Sequence, residues 1–135
     1  MTLTPIYSKL LSIIFKIWKR VTALYPRPER RGFTAIQVKI TEEAKQDLGR
    51  FADFLTENGA LEQAKTVINV ILQGLRILEQ HPLSGRHYTL DGVSFREILI
   101  KYGSSGYACL YSFDESQNVV VIHALRHQRE IGYSI

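Results

Sequence analysis

The residues best suited to chemistry lie near the end of the chain, in the segment ALRHQREIGY at 124–133. This segment contains Arg126, His127, Arg129 and Tyr133, and it overlaps the end of the apolar run VVVIHAL at 119–125. Arginine can hold a phosphate, histidine can move a proton, and tyrosine can stack or donate a hydrogen bond. These are the parts of an RNA-cleaving site, but they suit equally well a basic tail that binds a partner.

The charge of the chain is unevenly distributed. The net charge is +4, yet residues 1–40 hold eight basic side chains and a single acidic one, Glu29. The other 95 residues hold nine basic and twelve acidic side chains, so the body of the protein is slightly acidic. A domain that binds a polyanion usually presents a basic surface. The distribution therefore argues against a polyanion-binding body and assigns the high pI to the N-terminal segment.

Other reactive side chains show no pattern typical of a metal or thiol site. Cys109 lies in an apolar segment and is interpreted as a small buried hydrophobe. His123 lies on an apolar strand and is interpreted as a histidine of the sheet. The spacing of the four histidines does not indicate a metal site: they are His81, His87, His123 and His127. We therefore expect neither a metal nor a cofactor.

The first half of the domain predicts a strand followed by two helices. At 34–40 the side chains of Ile36, Val38 and Ile40 alternate with polar ones, as in a strand. Thr41 is expected to cap a first helix that ends near 57–59. A second helix is expected from about 61 to 80, and the short connection makes the pair an antiparallel helical hairpin.

The second half predicts a sheet. Residues 82–92, PLSGRHYTLDG, are expected to form a loop after the second helix. Strands at 94–100, 107–113 and 119–125 then form a three-strand antiparallel meander. The fold class is therefore α+β, with the helical hairpin covering one face of the sheet.

The N-terminal region has a different character. Residues 3–25 predict an amphipathic helix with lysines on one side, which interrupt any run long enough to span a membrane. The apolar run is also too short for a signal peptide. Residues 26–33, PRPERRGF, are typical of a linker. We expect an extension at 1–33 and the working domain at 34–135.

Several motifs resemble the RelE/ParE toxin superfamily of bacterial toxin–antitoxin modules. They are the helix exit L…HP..GR at 78–86, the arginine of FREILI at 95–100, and the last strand V.V.HA.RH.RE at 119–130. Their order and spacing extend the resemblance over residues 36–133. It implies a RelE/ParE-like fold and a small cytoplasmic toxin, silenced by a tightly bound antitoxin that lies across the hairpin and sheet, with higher-order assembly as a further option.

The superfamily has two functional branches that share this fold. RelE-like members cleave mRNA on the ribosome, and this needs a base, an acid and several cationic donors. Here Ala108 stands where such enzymes often place an arginine, and Arg96 is the only basic residue of its strand. In this alternative His127 and Tyr133 would be the catalytic pair, with the ribosome as partner.

The ParE-like branch, whose members poison DNA gyrase, fits the side chains better, so we expect a non-enzymatic toxin. A degenerate toxin that only binds its antitoxin is the remaining alternative. Arg86 could bind a target or could close the loop that precedes it. Arg96 and Glu97 are expected on opposite faces of their strand. The candidate target-binding residues are Arg86, Arg96, Arg126, Arg129 and Tyr133.

Overall fold

The computed structural model describes residues 36–133, and these form two helices and a five-stranded sheet. The α+β class and the order of strand, helical hairpin and meander are confirmed. The elements are β1 (Gln37–Ile40), α1 (Glu42–Glu57), α2 (Leu61–Leu75), a 3₁₀ helix (Arg76–Glu79), β2 (Arg86–Leu90), β3 (Val93–Tyr102), β4 (Ser105–Asp114) and β5 (Val119–His127).

Helix α1 begins where the sequence predicted. The Thr41 hydroxyl accepts a hydrogen bond from the Ala44 amide at 3.2 Å, and Glu42 and Glu43 lie at the positive end of the helix dipole. Gly59, with a φ of +74°, provides the tight turn into α2. The predicted hairpin is confirmed. The second helix, expected to about residue 80, is α-helical only to Leu75 and continues as the 3₁₀ helix.

The strand order is β1-β5-β4-β3-β2, with β1 parallel to β5 and all other pairs antiparallel. The prediction of a loop over 82–92 is wrong in part, because Arg86–Leu90 pairs with β3 as an additional strand. Asp91 and Gly92 join these strands with φ values of 50° and 78°. Positive φ at both positions is what a two-residue hairpin turn requires, and an Asp-Gly pair suits it. The meander therefore has four strands.

The core lies between the two helices and one face of the sheet. We call this face the helix face and the opposite one the outer face. Strand β3 contributes Ile98 and Ile100 to the helix face, while Glu97 and Leu99 point to the outer face. Cys109 is fully buried in the core, as interpreted, and burial raises the pKa of its thiol.

A β-bulge changes which side chains of β5 reach each face. Leu110 pairs with Ala124 but Tyr111 pairs with Ile122, so His123 is an extra residue on β5. Before the bulge Ile122 packs into the core, and after it Leu125 does. The alternation is therefore shifted by one residue at the end of the strand.

The predicted N-terminal helix at 3–25 and the linker at 26–33 lie outside the described residues. Within residues 36–133, neither helix is long and apolar enough to cross a bilayer.

Candidate functional site

The centre of the outer face is a buried carboxylate. Glu97 is 2% exposed and lies opposite Arg86, its partner in the β2–β3 pairing. The Arg86 Nε donates to Glu97 Oε1 at 2.9 Å, and its Nη2 bonds the same oxygen. The Tyr133 hydroxyl donates to Oε2, and Arg126 Nη2 lies 3.5 Å from that oxygen. We call Glu97, Arg86, Arg126 and Tyr133 the Glu97 cluster.

Two features of β4 and β5 allow Arg126 to reach this cluster. The bulge turns Arg126 to the outer face, and its partner across the β4–β5 pairing is Ala108. The small side chain of Ala108 leaves space for the guanidinium to extend over β4 toward Glu97. At the position of Ala108 the resemblance implies an arginine in RelE-like enzymes, whereas in this chain the small residue is the strand partner of Arg126.

The protonation states in the cluster are set by its hydrogen bonds. Burial by itself would raise the pKa of Glu97, but the hydrogen bonds from Tyr133 and Arg86, with the charge of Arg126, outweigh it and lower the pKa. Burial and the bond to Glu97 raise the pKa of Tyr133 far above its ordinary value. At neutral pH the carboxylate is ionised and the phenol is a donor, so the two arginines face a countercharge.

The cluster also holds the C-terminal segment on the sheet. The Arg126 guanidinium carbon lies 5.2 Å from the centroid of the Tyr133 ring, and the ring meets Tyr88 edge to face at 5.6 Å. Arg126 Nη1 donates to the carbonyls of Gln128 and Glu130 at 3.3 and 3.2 Å. Tyr133 is thus anchored by contacts with side chains of β2, β3 and β5.

A second group of polar side chains accepts hydrogen bonds from backbone amides of β5 that lie beyond the end of β1. The Asp47 carboxylate on α1 accepts from the Leu125 amide at 2.9 Å, and Glu130 accepts from the His127 amide at 2.9 Å. Arg50 joins the two acids, with its Nη1 2.8 Å from Glu130 and its Nη2 3.4 Å from Asp47. This role was not predicted from the sequence, although an acidic residue beside the apolar stripe of α1 is a signal that could have indicated it.

The pKa values of these two acids move in opposite directions. Burial raises the pKa of Asp47, and the bonds from Leu125 and Arg50 do not fully offset it. Burial would also raise the pKa of Glu130, but the His127 amide and Arg50 outweigh it and lower the pKa. Glu130, the last residue of the HQRE motif, therefore has a structural role as an ionised acceptor.

Arg96 lies apart from the Glu97 cluster. Its Nη1 donates to the carbonyls of Leu83 and Gly85 at 3.2 and 2.8 Å, so it closes the loop that Arg86 was considered to close. The Gly85 amide donates to the Tyr111 hydroxyl at 2.8 Å, and an added Cβ at this position would lie 2.6 Å from that oxygen. The glycine of the HP..GR motif is therefore explained by packing, because a larger residue at this position would clash with Tyr111.

His127 and Tyr133, the pair of the catalytic alternative, lie on opposite faces of the sheet. His127 meets the core residue Tyr107 edge to face at 5.1 Å, and its Nε2 is 3.3 Å from the Ser105 hydroxyl. Its Nδ1 accepts from the Arg129 amide at 3.1 Å, which fixes the other nitrogen as the protonated one in the neutral ring. Tyr133 is held by Glu97 on the outer face.

His123 is the bulged residue of β5 and also lies on the outer face. Its Nε2 is 2.7 Å from the Ser112 hydroxyl, and its ring packs edge to face on Phe95 at 5.1 Å. Burial lowers the pKa of His123, with Glu43 opposing the change. These contacts fit the interpretation of a sheet histidine. In residues 36–133, no three His, Cys, Asp or Glu side chains converge as metal ligands.

A groove of about 660 Å³ lies between α1, the β3–β4 turn and the C-terminal turn. We call it the α1 groove. It is lined by Arg50, Phe51, Phe54, Tyr107, His127 and Arg129 among others. Of the five candidate target-binding residues, the structure thus places three in the Glu97 cluster, one beneath the loop and one, Arg129, at this groove.

Comparisons with known proteins identify the family. The family model of the ParE toxin of the type II toxin–antitoxin system parDE matches residues 38–132. The fold is similar to that in the chromosomal ParDE system from P. aeruginosa, at 18% identity and a TM-score of 0.57, with 72% of this chain and 98% of that chain covered.

The RelBE2 toxin–antitoxin complex from Mycobacterium tuberculosis also matches, at 20% identity, with 70% of this chain and 99% of that chain covered, but its TM-score of 0.46 supports no further conclusion. No curated protein matches the sequence. Identities this low show the fold alone, whereas the family model covers most of the chain. The chain therefore belongs to the ParE toxin family of type II toxin–antitoxin systems.

Proposed function

We propose that this toxin inhibits DNA gyrase without acting as an enzyme, and that a cognate antitoxin neutralises it in the cytoplasm. Membership of the ParE family supports a toxin of this branch. The similar fold described above comes from a ParDE toxin–antitoxin system, which supports an antitoxin partner for this chain as well.

The observation that favours gyrase over the ribosome is the Glu97 cluster. A metal-free ribonuclease needs cationic side chains free to stabilise the charge that develops on the phosphate. Here Arg86 and Arg126 already face the Glu97 carboxylate, and the Tyr133 phenol is bonded to it. His127 lies on the other face of the sheet. The outer face is therefore better suited to holding the C-terminal segment than to cleaving RNA.

The exposed cations are the proposed target contacts. The Arg86 side chain is 68% exposed although it bonds Glu97, and Arg129 is exposed at the rim of the α1 groove. Arg96 is committed to the loop carbonyls and is proposed to contribute through the shape of that loop.

The test is a DNA supercoiling assay with purified chain and purified gyrase. We expect inhibition at micromolar toxin, accumulation of cleaved DNA, and no effect on relaxation by a type I topoisomerase. Adding the purified product of the reading frame next to this gene, in equimolar amount, should restore supercoiling.

Supercoiling that is unaffected at these concentrations would contradict the gyrase target. In that case primer extension on translated mRNA after induction distinguishes the alternatives. New cleavage sites would indicate the ribosome-dependent nuclease, and unaffected growth without cleavage would indicate a degenerate toxin.

A further inference from the structure

Strand β4 carries two serines that each face a histidine of β5. The Ser112 hydroxyl lies 2.7 Å from Nε2 of His123, on the outer face. The Ser105 hydroxyl lies 3.3 Å from Nε2 of His127, on the helix face. A hydroxyl beside an imidazole becomes a nucleophile when the ring nitrogen that faces it can accept its proton. Which ring nitrogen carries the proton therefore decides whether either serine can react.

Ser105 faces a nitrogen that already carries a proton. Nδ1 of His127 accepts a hydrogen bond from the Arg129 amide at 3.1 Å, so the proton of the neutral ring is on Nε2. Nε2 then donates toward the Ser105 hydroxyl and cannot take its proton. The distance of 3.3 Å is also longer than is usual for a bond of this kind. Ser105 is therefore an ordinary hydroxyl.

Ser112 faces a nitrogen that can accept. No backbone amide comparable to that of Arg129 donates to the His123 ring among residues 36–133, so nothing there holds the proton on Nε2. Burial lowers the pKa of His123, with Glu43 opposing the change, and the ring is therefore neutral at pH 7. The Ser112 hydroxyl can then donate to Nε2, which is the arrangement of a nucleophile and its base.

The β-bulge aims the His123 ring at Ser112. His123 is the extra residue of β5, and its carbonyl accepts a hydrogen bond from the Thr41 hydroxyl at 3.3 Å. The neighbouring Ile122 carbonyl accepts from the Thr41 amide at 3.1 Å. The ring itself packs edge to face on Phe95, with centroids 5.1 Å apart. Bulges often re-aim a side chain beside a functional site, and here the backbone and the ring of the re-aimed histidine are both held in place.

We propose that Ser112 is a nucleophilic modification site that takes an acyl group from an activated ester, with His123 as the general base. Both side chains are partly exposed, so a small ester can reach the hydroxyl. The bond between Ser112 Oγ and the acyl carbon forms, and the bond from that carbon to the leaving oxygen breaks. The Oγ proton passes to His123 Nε2 and then to water, and the leaving group departs as its anion. This site is independent of the target proposed above.

The test incubates the full chain with p-nitrophenyl acetate at pH 7 and locates the acetyl groups by peptide mass spectrometry after an acid quench. We expect an acetyl ester on Ser112 that forms about 100-fold faster than one on Ser105, because a general base contributes about 10²–10⁴-fold. The two serines are compared within one sample, so the comparison needs no variant. Equal rates at the two serines, or acetyl groups on lysines alone, would overturn the proposal.

The variant His123→Gln tests the base separately. A glutamine amide can keep a hydrogen bond to Ser112 but takes no proton at pH 7, so acetylation of Ser112 should slow about 100-fold. His127→Gln is the matched control and should leave the Ser112 rate within about twofold, because the two pairs share no partner. A Ser112 rate that His123→Gln leaves unchanged would overturn the role of His123. If His123→Gln does not fold, the comparison of Ser112 with Ser105 in the unaltered chain decides the proposal.

Discussion

Glu97 provides the countercharge for two neighbouring arginines, Arg86 and Arg126. Its side chain is buried, whereas that of Arg86 is 68% exposed and that of Arg126 is 15% exposed. The ion pair with Arg86 is therefore largely screened by water and stabilises the fold little. The pair with Arg126 and the bond from Tyr133 are less accessible, so removing the carboxylate would leave a mostly buried cation without its countercharge.

We predict that Glu97→Gln lowers the free energy of unfolding by about 2–3 kcal/mol, because the amide keeps the shape of the side chain but not its charge. Denaturant unfolding at pH 7 measures this loss. Tyr133→Phe is the matched control, since it removes one donor, and should cost about 1 kcal/mol. A loss below about 0.5 kcal/mol for Glu97→Gln would show that the cluster contributes little to stability.

The same variant tests the pH dependence of the cluster. The pKa of Glu97 is lowered from its ordinary value of 4.5, so its contribution is complete above that pH and is lost as the pH falls through the folded-state pKa. The stability difference between the unaltered chain and Glu97→Gln should therefore be constant between pH 6 and 7 and shrink below about pH 4.5. A difference that grows on acidification would contradict the assigned ionisation.

Among the elements, β5 shows most clearly what periodicity cannot predict. A regular strand with Val120 and Ile122 in the core would also turn Ala124 and Arg126 toward the helices. The bulge at His123 reverses this, and Leu125 and His127 take the helix face instead. Since no residue type marks this bulge, the sequence could not show that Arg126 and Tyr133 share a face while His127 lies on the other.

The missed strand β2 has a different explanation. Its five residues are mostly exposed, so the apolar alternation that identified the other strands is weak there. The Asp91-Gly92 pair is nevertheless a short-range hairpin signal, and β2 was predictable from it. The helices and the buried strands β4 and β5 were predicted because their apolar residues carry strong periodicity. The Glu97 cluster was not, because its members come from three strands and the C-terminal segment.

At the level of elements, Asp47 replaces a missing strand partner. Strand β1 pairs with β5 only as far as Ile122, and the Leu125 amide is bonded by the Asp47 carboxylate instead. We predict that Asp47→Ala costs about 2–3 kcal/mol, because a buried amide loses its acceptor, whereas Asp47→Asn, which keeps an acceptor oxygen, costs less. Thermal unfolding followed by circular dichroism measures both.

Asp53, on the same helix, is the control for Asp47. One of its carboxylate oxygens is buried and has no hydrogen-bond partner among residues 36–133, and burial raises the pKa of the group. Asp53→Ala should therefore be neutral or slightly stabilising, because it removes a buried oxygen that makes no bond. Equal losses for Asp47→Ala and Asp53→Ala would show that helix α1, and not the Leu125 bond, is the sensitive feature.

For the whole molecule, the domain boundary at residue 34 remains a proposal, and the core gives it a physical basis. The buried cluster extends from Val38 on β1 to Leu125 on β5 and includes both helices, so one continuous core is built within the described residues. Residues 1–33 carry seven of the seventeen basic side chains and one of the thirteen acids. Residues 1–33 therefore supply most of the excess positive charge, and residues 36–133 contain a continuous core of their own.

We predict that a chain of residues 34–135 keeps its Tm within about 2 °C of the full chain, because every core residue found among residues 36–133 is retained. Since about 1 kcal/mol corresponds to roughly 4–8 °C in a domain of this size, differential scanning calorimetry resolves the comparison. The body holds ten basic and twelve acidic side chains, so its isoelectric point should fall from 9.3 to below neutrality, which isoelectric focusing checks. A drop in Tm of more than about 5 °C would show that the extension packs on the body, and the domain would then begin before residue 34.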